Sequence, residues 1–152
     1  MKQRYTVVMI VMLGLGLCSC SPQAADEKSE AQAIEAQLGR YFATWSARDM
    51  KGYASCFDPA ATIHFIDGNG VSHLLHLPEF IRSQEYAHSV TPGGMTEHAT
   101  SWQIHRAGRM AQVSARWDLQ KSAGHETGTD YYTFLKRNDQ WKIVSLVFEN
   151  DN

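Results

Sequence analysis

The chain has 152 residues, with 14 lysines and arginines against 16 aspartates and glutamates, a net charge of −2. That is room for one domain with one core, and without a basic excess nothing suggests nucleic acid as a partner. Three cysteines, two of them within the first twenty residues, cannot build a disulfide framework.

Lys2 and Arg4 precede an unbroken apolar run over residues 7–17. Its length suits the hydrophobic region of a signal peptide and is too short to span a bilayer. Leu17-Cys18-Ser19-Cys20 follows. A leucine at −3 and a small residue at −1 before Cys20 resemble a bacterial lipobox. Cys18, with Leu17 before it, does not fit. The resemblance implies cleavage before Cys20 and a lipid attached there, so the only tie to the membrane is the anchor. Ser21 rather than an aspartate, as in enterobacterial lipoproteins, implies outer-membrane sorting, facing the periplasm. An ordinary signal peptide cleaved near Ala25 is the alternative. The chain divides accordingly into a signal peptide at 1–19, a tether at 20–29 and a domain at 30–150. With Cys20 acylated, Cys56 stands alone in an apolar stretch as a packing residue.

Ile34, Leu38, Tyr41, Phe42 and Trp45 recur at helical spacing, which predicts an amphipathic first helix. Asp49 caps a second, with Met50, Tyr53, Ala54 and Phe57 on one face, and Asp58-Pro59 ends it. Strands are expected at 61–66 and 71–75 around the Asp67-Gly68-Asn69-Gly70 turn. Pro78 opens a third helix reaching about His88. Thr91-Pro92-Gly93-Gly94 is a loop.

The last third reads as four antiparallel strands, at 97–104, 110–120, 129–136 and 141–149. In the second of these, Ala111, Val113, Ala115, Trp117 and Leu119 alternate with polar residues, giving one buried and one wet face. Gly124-His125-Glu126 reads as a solvated loop. Helices followed by long antiparallel strands make an α+β fold.

In this order the stretches RYFATWSARDMKGYASCF, DPAATIHFIDGNG and TDYYTFLKRNDQWKIVSLVF resemble the NTF2-like superfamily. Its members include ketosteroid isomerase and SnoaL-like cyclases, and the pattern is most similar to its putative lumazine-binding branch. The resemblance covers residues 30–150. It implies a cone, three N-terminal helices packed on a curved, mainly antiparallel, mixed-order sheet, enclosing an apolar pocket, with a homodimer through the outer sheet face.

Against ketosteroid isomerase, residues 40–68 align without a gap. The alignment implies that Tyr41 stands at the oxyanion tyrosine, Phe65 at the general-base aspartate, and a position near Thr133 at the protonated aspartate. A phenylalanine cannot take a proton. Tyr41, Trp45, Phe57, Phe65, Phe80, Trp117, Tyr131, Thr133 and Leu146 are therefore expected to line a pocket for a small apolar or aromatic ligand. Strand alternation turns His64 away from that pocket if Phe65 faces it. His98 shares its alternation with Thr100, Trp102 and Ile104. If it projects inward, Tyr41 and His98 are candidate catalytic groups; the alternative is an exposed strand histidine. Seven histidines show no metal-ligand spacing, His73 and His76 being a weak pair, and no cofactor motif is present. Three functions stay open: a non-catalytic ligand-binding lipoprotein, an enzyme of isomerase, dehydratase or hydrolase type, and a protein-interaction module with an apolar patch around Ile66 and Val147.

Overall fold

In the computed structural model, which describes residues 22–151, the first apolar stripe becomes the buried face of α1 (Pro22–Ser46), with Ile34, Leu38, Tyr41, Phe42 and Trp45 in the core. The helix begins at Pro22, so residues 22–29 of the stretch read as a tether form its first turns. Leu17-Cys18-Ser19-Cys20 lies outside the described residues. Among the described residues, no helix is long and apolar enough to cross a membrane.

Asp49 caps α2 (Met50–Ala54) by accepting the Gly52 amide at 2.8 Å. This helix stops short of Phe57, which already belongs to β1 (Phe57–Ile66) and pairs with Ile143. Proline lacks an amide hydrogen and does not interrupt a strand where the ladder is irregular. The register of β1 shifts between Phe57 and Thr62, the stretch that holds Pro59. A hairpin leads to β2 (Ser72–His76), and only then comes α3 (Leu77–Val90). The expectation of three N-terminal helices is thus corrected: two precede the sheet, and α3 enters after its first hairpin.

Four long strands complete the chain: β3 (Met95–Ala107), β4 (Met110–Lys121), β5 (Gly124–Arg137) and β6 (Gln140–Asn150). Gly124, His125 and Glu126 pair with Lys121, Gln120 and Leu119, so the expected loop there is the start of a strand. The sheet order is β2-β1-β6-β5-β4-β3, with β1 and β6 parallel and every other pair antiparallel.

Two further register shifts fix which residues face the helices. One falls in β3 between Ala99 and Ser101, and the other places Phe134 opposite Ile143 but Thr133 opposite Ser145. An extra residue in one strand exchanges its two faces. Ile63, Ala115, Trp117, Asp130, Tyr132, Phe134 and Leu146 all point into the cone and are buried.

Candidate functional site

The site is built around a carboxyl group in the cone. Asp130 is only 3 % exposed. Trp117 Nε1 donates to its Oδ1 at 2.9 Å, Tyr132 Oη donates to Oδ2 at 2.5 Å, and Tyr41 Oη reaches the same oxygen at 3.4 Å. Burial pushes the acid up to about 7, against the opposing pull of those donors. Burial also raises the hydroxyls of Tyr41, Tyr53 and Tyr132 well above the usual phenol range, so all three remain donors at neutral pH. The ring of Tyr41 stands 5.3 Å from Tyr132 and 4.9 Å from Tyr53.

Glu97 is the second acid. The irregularity in β3 places Glu97 opposite Leu119 and Ala99 opposite Trp117, on the inner face. The Glu97 backbone is held at both ends by Ser46 Oγ, which accepts its amide at 2.8 Å and donates to its carbonyl at 3.0 Å. Burial raises its pKa well above the usual carboxylate value, and the charge of Asp130 adds to the shift. Its carboxyl makes no hydrogen bond among the described residues. Two interacting acids with raised pKa values beside phenolic donors form a functional-site pattern.

Two cavities meet at Glu97. The inner one, about 100 Å³, is bordered by Tyr41, Trp45, Phe80, Gln84, Glu97 and Trp117. Trp45 Nε1 donates to Gln84 Oε1 at 2.9 Å at that cavity. The other is a groove of about 470 Å³ between α1 and β3, bordered by Leu38, Gly39, Phe42, Glu97 and Trp102. Small-ligand pockets span roughly 300–1,000 Å³, so the groove is ligand-sized and the inner cavity is not.

The expected site residues separate into groups. Tyr41, Trp45, Phe80 and Trp117 border the inner cavity. Phe57 and Leu146 are buried core and do not border it. Phe65 is half-buried, 5.1 Å from the ring of Phe148. Tyr131, 57 % exposed, and Thr133 are corrected to the outer face: the inward residues of β5 are Asp130, Tyr132 and Phe134. The buried acid therefore stands three positions before Thr133. His98 is corrected as well. It is exposed and pairs with Asp118 on the outer face, and the irregularity after Ala99 breaks the alternation that linked it to Trp102. It borders the groove but not the inner cavity. His64 bonds Ser72 Oγ through Nδ1 at 3.0 Å. Ile66 and Val147 are half-buried; exposed Tyr131 pairs directly with Val147, and exposed Leu74 lies one strand beyond, opposite His64.

Asp130 and Glu97 were missed for a definable reason. The stretch Asp130-Tyr131-Tyr132-Thr133 offers an aromatic residue to either face, so apolar counting cannot choose between them. The useful signal was Phe134, which belongs with Asp130 and Tyr132. Among the described residues, no three metal-ligating side chains cluster.

A family described as "Putative lumazine-binding" matches residues 29–149. The chain belongs to that family. Its fold is that of the NTF2-like superfamily. It is similar to an NTF2-like protein of unknown function from Shewanella baltica OS155, at 22 % identity over 82 % of this chain and 96 % of that one, with a TM-score of 0.65. It is also similar to a protein of unknown function from Mycobacterium tuberculosis, at 20 % identity, 88 % and 78 % coverage and a TM-score of 0.73. A third structure, named "Putative Scytalone Dehydratase", from Novosphingobium aromaticivorans DSM 12444, gives 15 % identity, 84 % and 88 % coverage and a TM-score of 0.70. At these identities the likeness is one of fold, and this fold hosts many activities. No curated protein matches the chain.

Proposed function

We propose that this member of the lumazine-binding-like family is an envelope lipoprotein that binds a small ring-bearing ligand in the groove between α1 and β3. One observation carries the reading: an acid without a hydrogen-bond partner, Glu97, borders a ligand-sized apolar groove. Glu97 is half-buried, and a ligand donor in the groove would meet a carboxyl that no side chain among the described residues satisfies. The test is a titration with ring compounds, lumazine first, followed by tryptophan emission. If no ring compound binds saturably, the reading fails.

The anchoring and assembly parts rest on sequence and resemblance. Cys20 carries the lipid, and Cys20→Ser should move the protein out of the membrane fraction. The outer sheet face, with exposed Tyr131, pairs two copies, and sedimentation velocity on the detergent-solubilised chain reads the dimer.

A second reading, an acid–base enzyme, is favoured by the two raised carboxyls beside Tyr41. In it Glu97, not His98, takes the proton, since His98 is on the outer face. The check is solvent deuterium exchange at the α-carbon of a simple cyclic ketone, read by NMR. Exchange that survives Glu97→Gln would end this reading.

A further inference from the structure

We propose that the groove between α1 and β3 takes an aromatic organic cation, with its charge between Glu35 and Glu97 and its ring against Phe42 and Trp102. This inference rests on the reading of the groove as the ligand site and adds the chemical class of the ligand.

Shape gives the first argument. Leu38 and Phe42 supply an apolar wall, and Gly39 empties the middle, since a β-carbon there would meet nothing within 4 Å. The free volume of about 470 Å³ suits a ring with a substituent, not a single ion.

Charge gives the second. Glu35 and Glu97 are both in the lining, and neither lysine nor arginine joins them. An anionic ligand would bring like charge against an acid on an apolar wall, a repulsion that selects against it. Trp102 gives the third. Its indole is 46 % exposed yet fixed at one edge, where Nε1 donates to Glu35 Oε1 at 3.3 Å. An anchored indole beside a carboxylate is a good seat for an ammonium group.

A linkage follows. The titratable groups around Glu97 are Glu35 and Tyr41 on α1, Tyr53 on α2, His98 on β3, and Asp130 and Tyr132 on β5. None is a lysine or arginine, so burial and Asp130 keep Glu97 protonated further up the pH scale than an ordinary carboxylate. A bound cation favours the ionised form. Uptake of the cation therefore releases a proton, and affinity rises with pH.

The test uses the full-length chain and benzyltrimethylammonium as the probe, with phenylacetate and benzyl alcohol as the anionic and neutral controls. Binding is followed by tryptophan emission and calorimetry. Only the cation should bind saturably. Trp102→Phe should remove most of the emission change, and Glu35→Gln should weaken binding roughly tenfold. Gly39→Leu should abolish binding with an unchanged circular dichroism spectrum, and Ala43→Leu, further along the same wall, is the second blocking variant. Equal binding of phenylacetate or benzyl alcohol would overturn the cation inference while leaving the groove as a ligand site. Failure of all three probes and of every other ring compound would remove both. Cation binding that survives both blocking variants would also overturn it, and an affinity flat in pH would overturn the placement of charge at Glu97.

Discussion

The indole of Trp117 lies against the backbone of Gly128, its cross-strand neighbour. A β-carbon on Gly128 would stand 2.1 Å from Trp117 Cζ2 and 2.3 Å from the Glu149 carbonyl oxygen. The missing side chain lets the ring lie across β5, with its Nε1 on Asp130. One obstacle is a rigid ring and the other is backbone, so neither yields cheaply. Gly128→Ala should destabilise the domain by about 1–3 kcal/mol and shift tryptophan emission. An unchanged urea midpoint would show that the ring does not depend on this approach.

Asp130 sets a pH dependence with a definite sign. Its pKa is about 7 in the folded state against an ordinary 3.8. Between those values the folded chain holds a proton that the unfolded chain has released, so stability falls as pH rises. The contribution is complete below about pH 4 and lost by the time pH has passed about 7. Glu97, raised in the same direction, adds to the slope. Asp130→Asn should flatten the urea midpoint across this window, and an equally steep slope in the variant would refute the assignment.

The two tyrosines on Asp130 should not be equivalent. Tyr132 is fully buried and bonds at 2.5 Å, whereas Tyr41 reaches the same oxygen at 3.4 Å. Tyr132→Phe should cost roughly 1–3 kcal/mol and push the Asp130 titration higher, because a donor to the charged form is lost. Tyr41→Phe should cost under about 1 kcal/mol. Equilibrium unfolding of both variants at one pH decides the order.

Glu97 and His98 are adjacent in sequence but should differ sharply. Burial and the charge of Asp130 disfavour the ionised form of Glu97, so Glu97→Gln, which cannot ionise, should raise the melting temperature by a few degrees at pH values where Glu97 is ionised, while weakening ligand uptake. That combination marks a group kept for function at the expense of stability. His98→Ala, on an exposed side chain, should stay within about 0.5 kcal/mol of wild type. A destabilised Glu97→Gln would mean that the carboxyl holds the fold together.

The order of elements was legible because it depends on local rules: the stripe from Ile34 to Trp45, the Asp49 cap, and the alternation of β4 from Ala111 to Leu119. Each is a periodicity or a turn signal within a few residues, and no distant contact overturned it. The resemblance then supplied the cone. Faces could be read only where a strand is regular. In β3 an irregularity after Ala99 exchanges the faces, so Glu97 and Ala99 point inward before it and Trp102 and Ile104 after it. No residue type announces that change, because the partner strand sets it. Asp130 was hidden for a related reason, in a strand with a tyrosine on each face. Its altered acidity comes from the exclusion of water by helix and sheet, partly opposed by the donors Tyr132 and Trp117 on the sheet and Tyr41 on α1. The sequence by itself determined which elements form and in what order, since hydrogen bonding and apolar period are local. Only the tertiary structure decided that two acids share one interior, because strand register and solvent exclusion are properties of the assembled sheet.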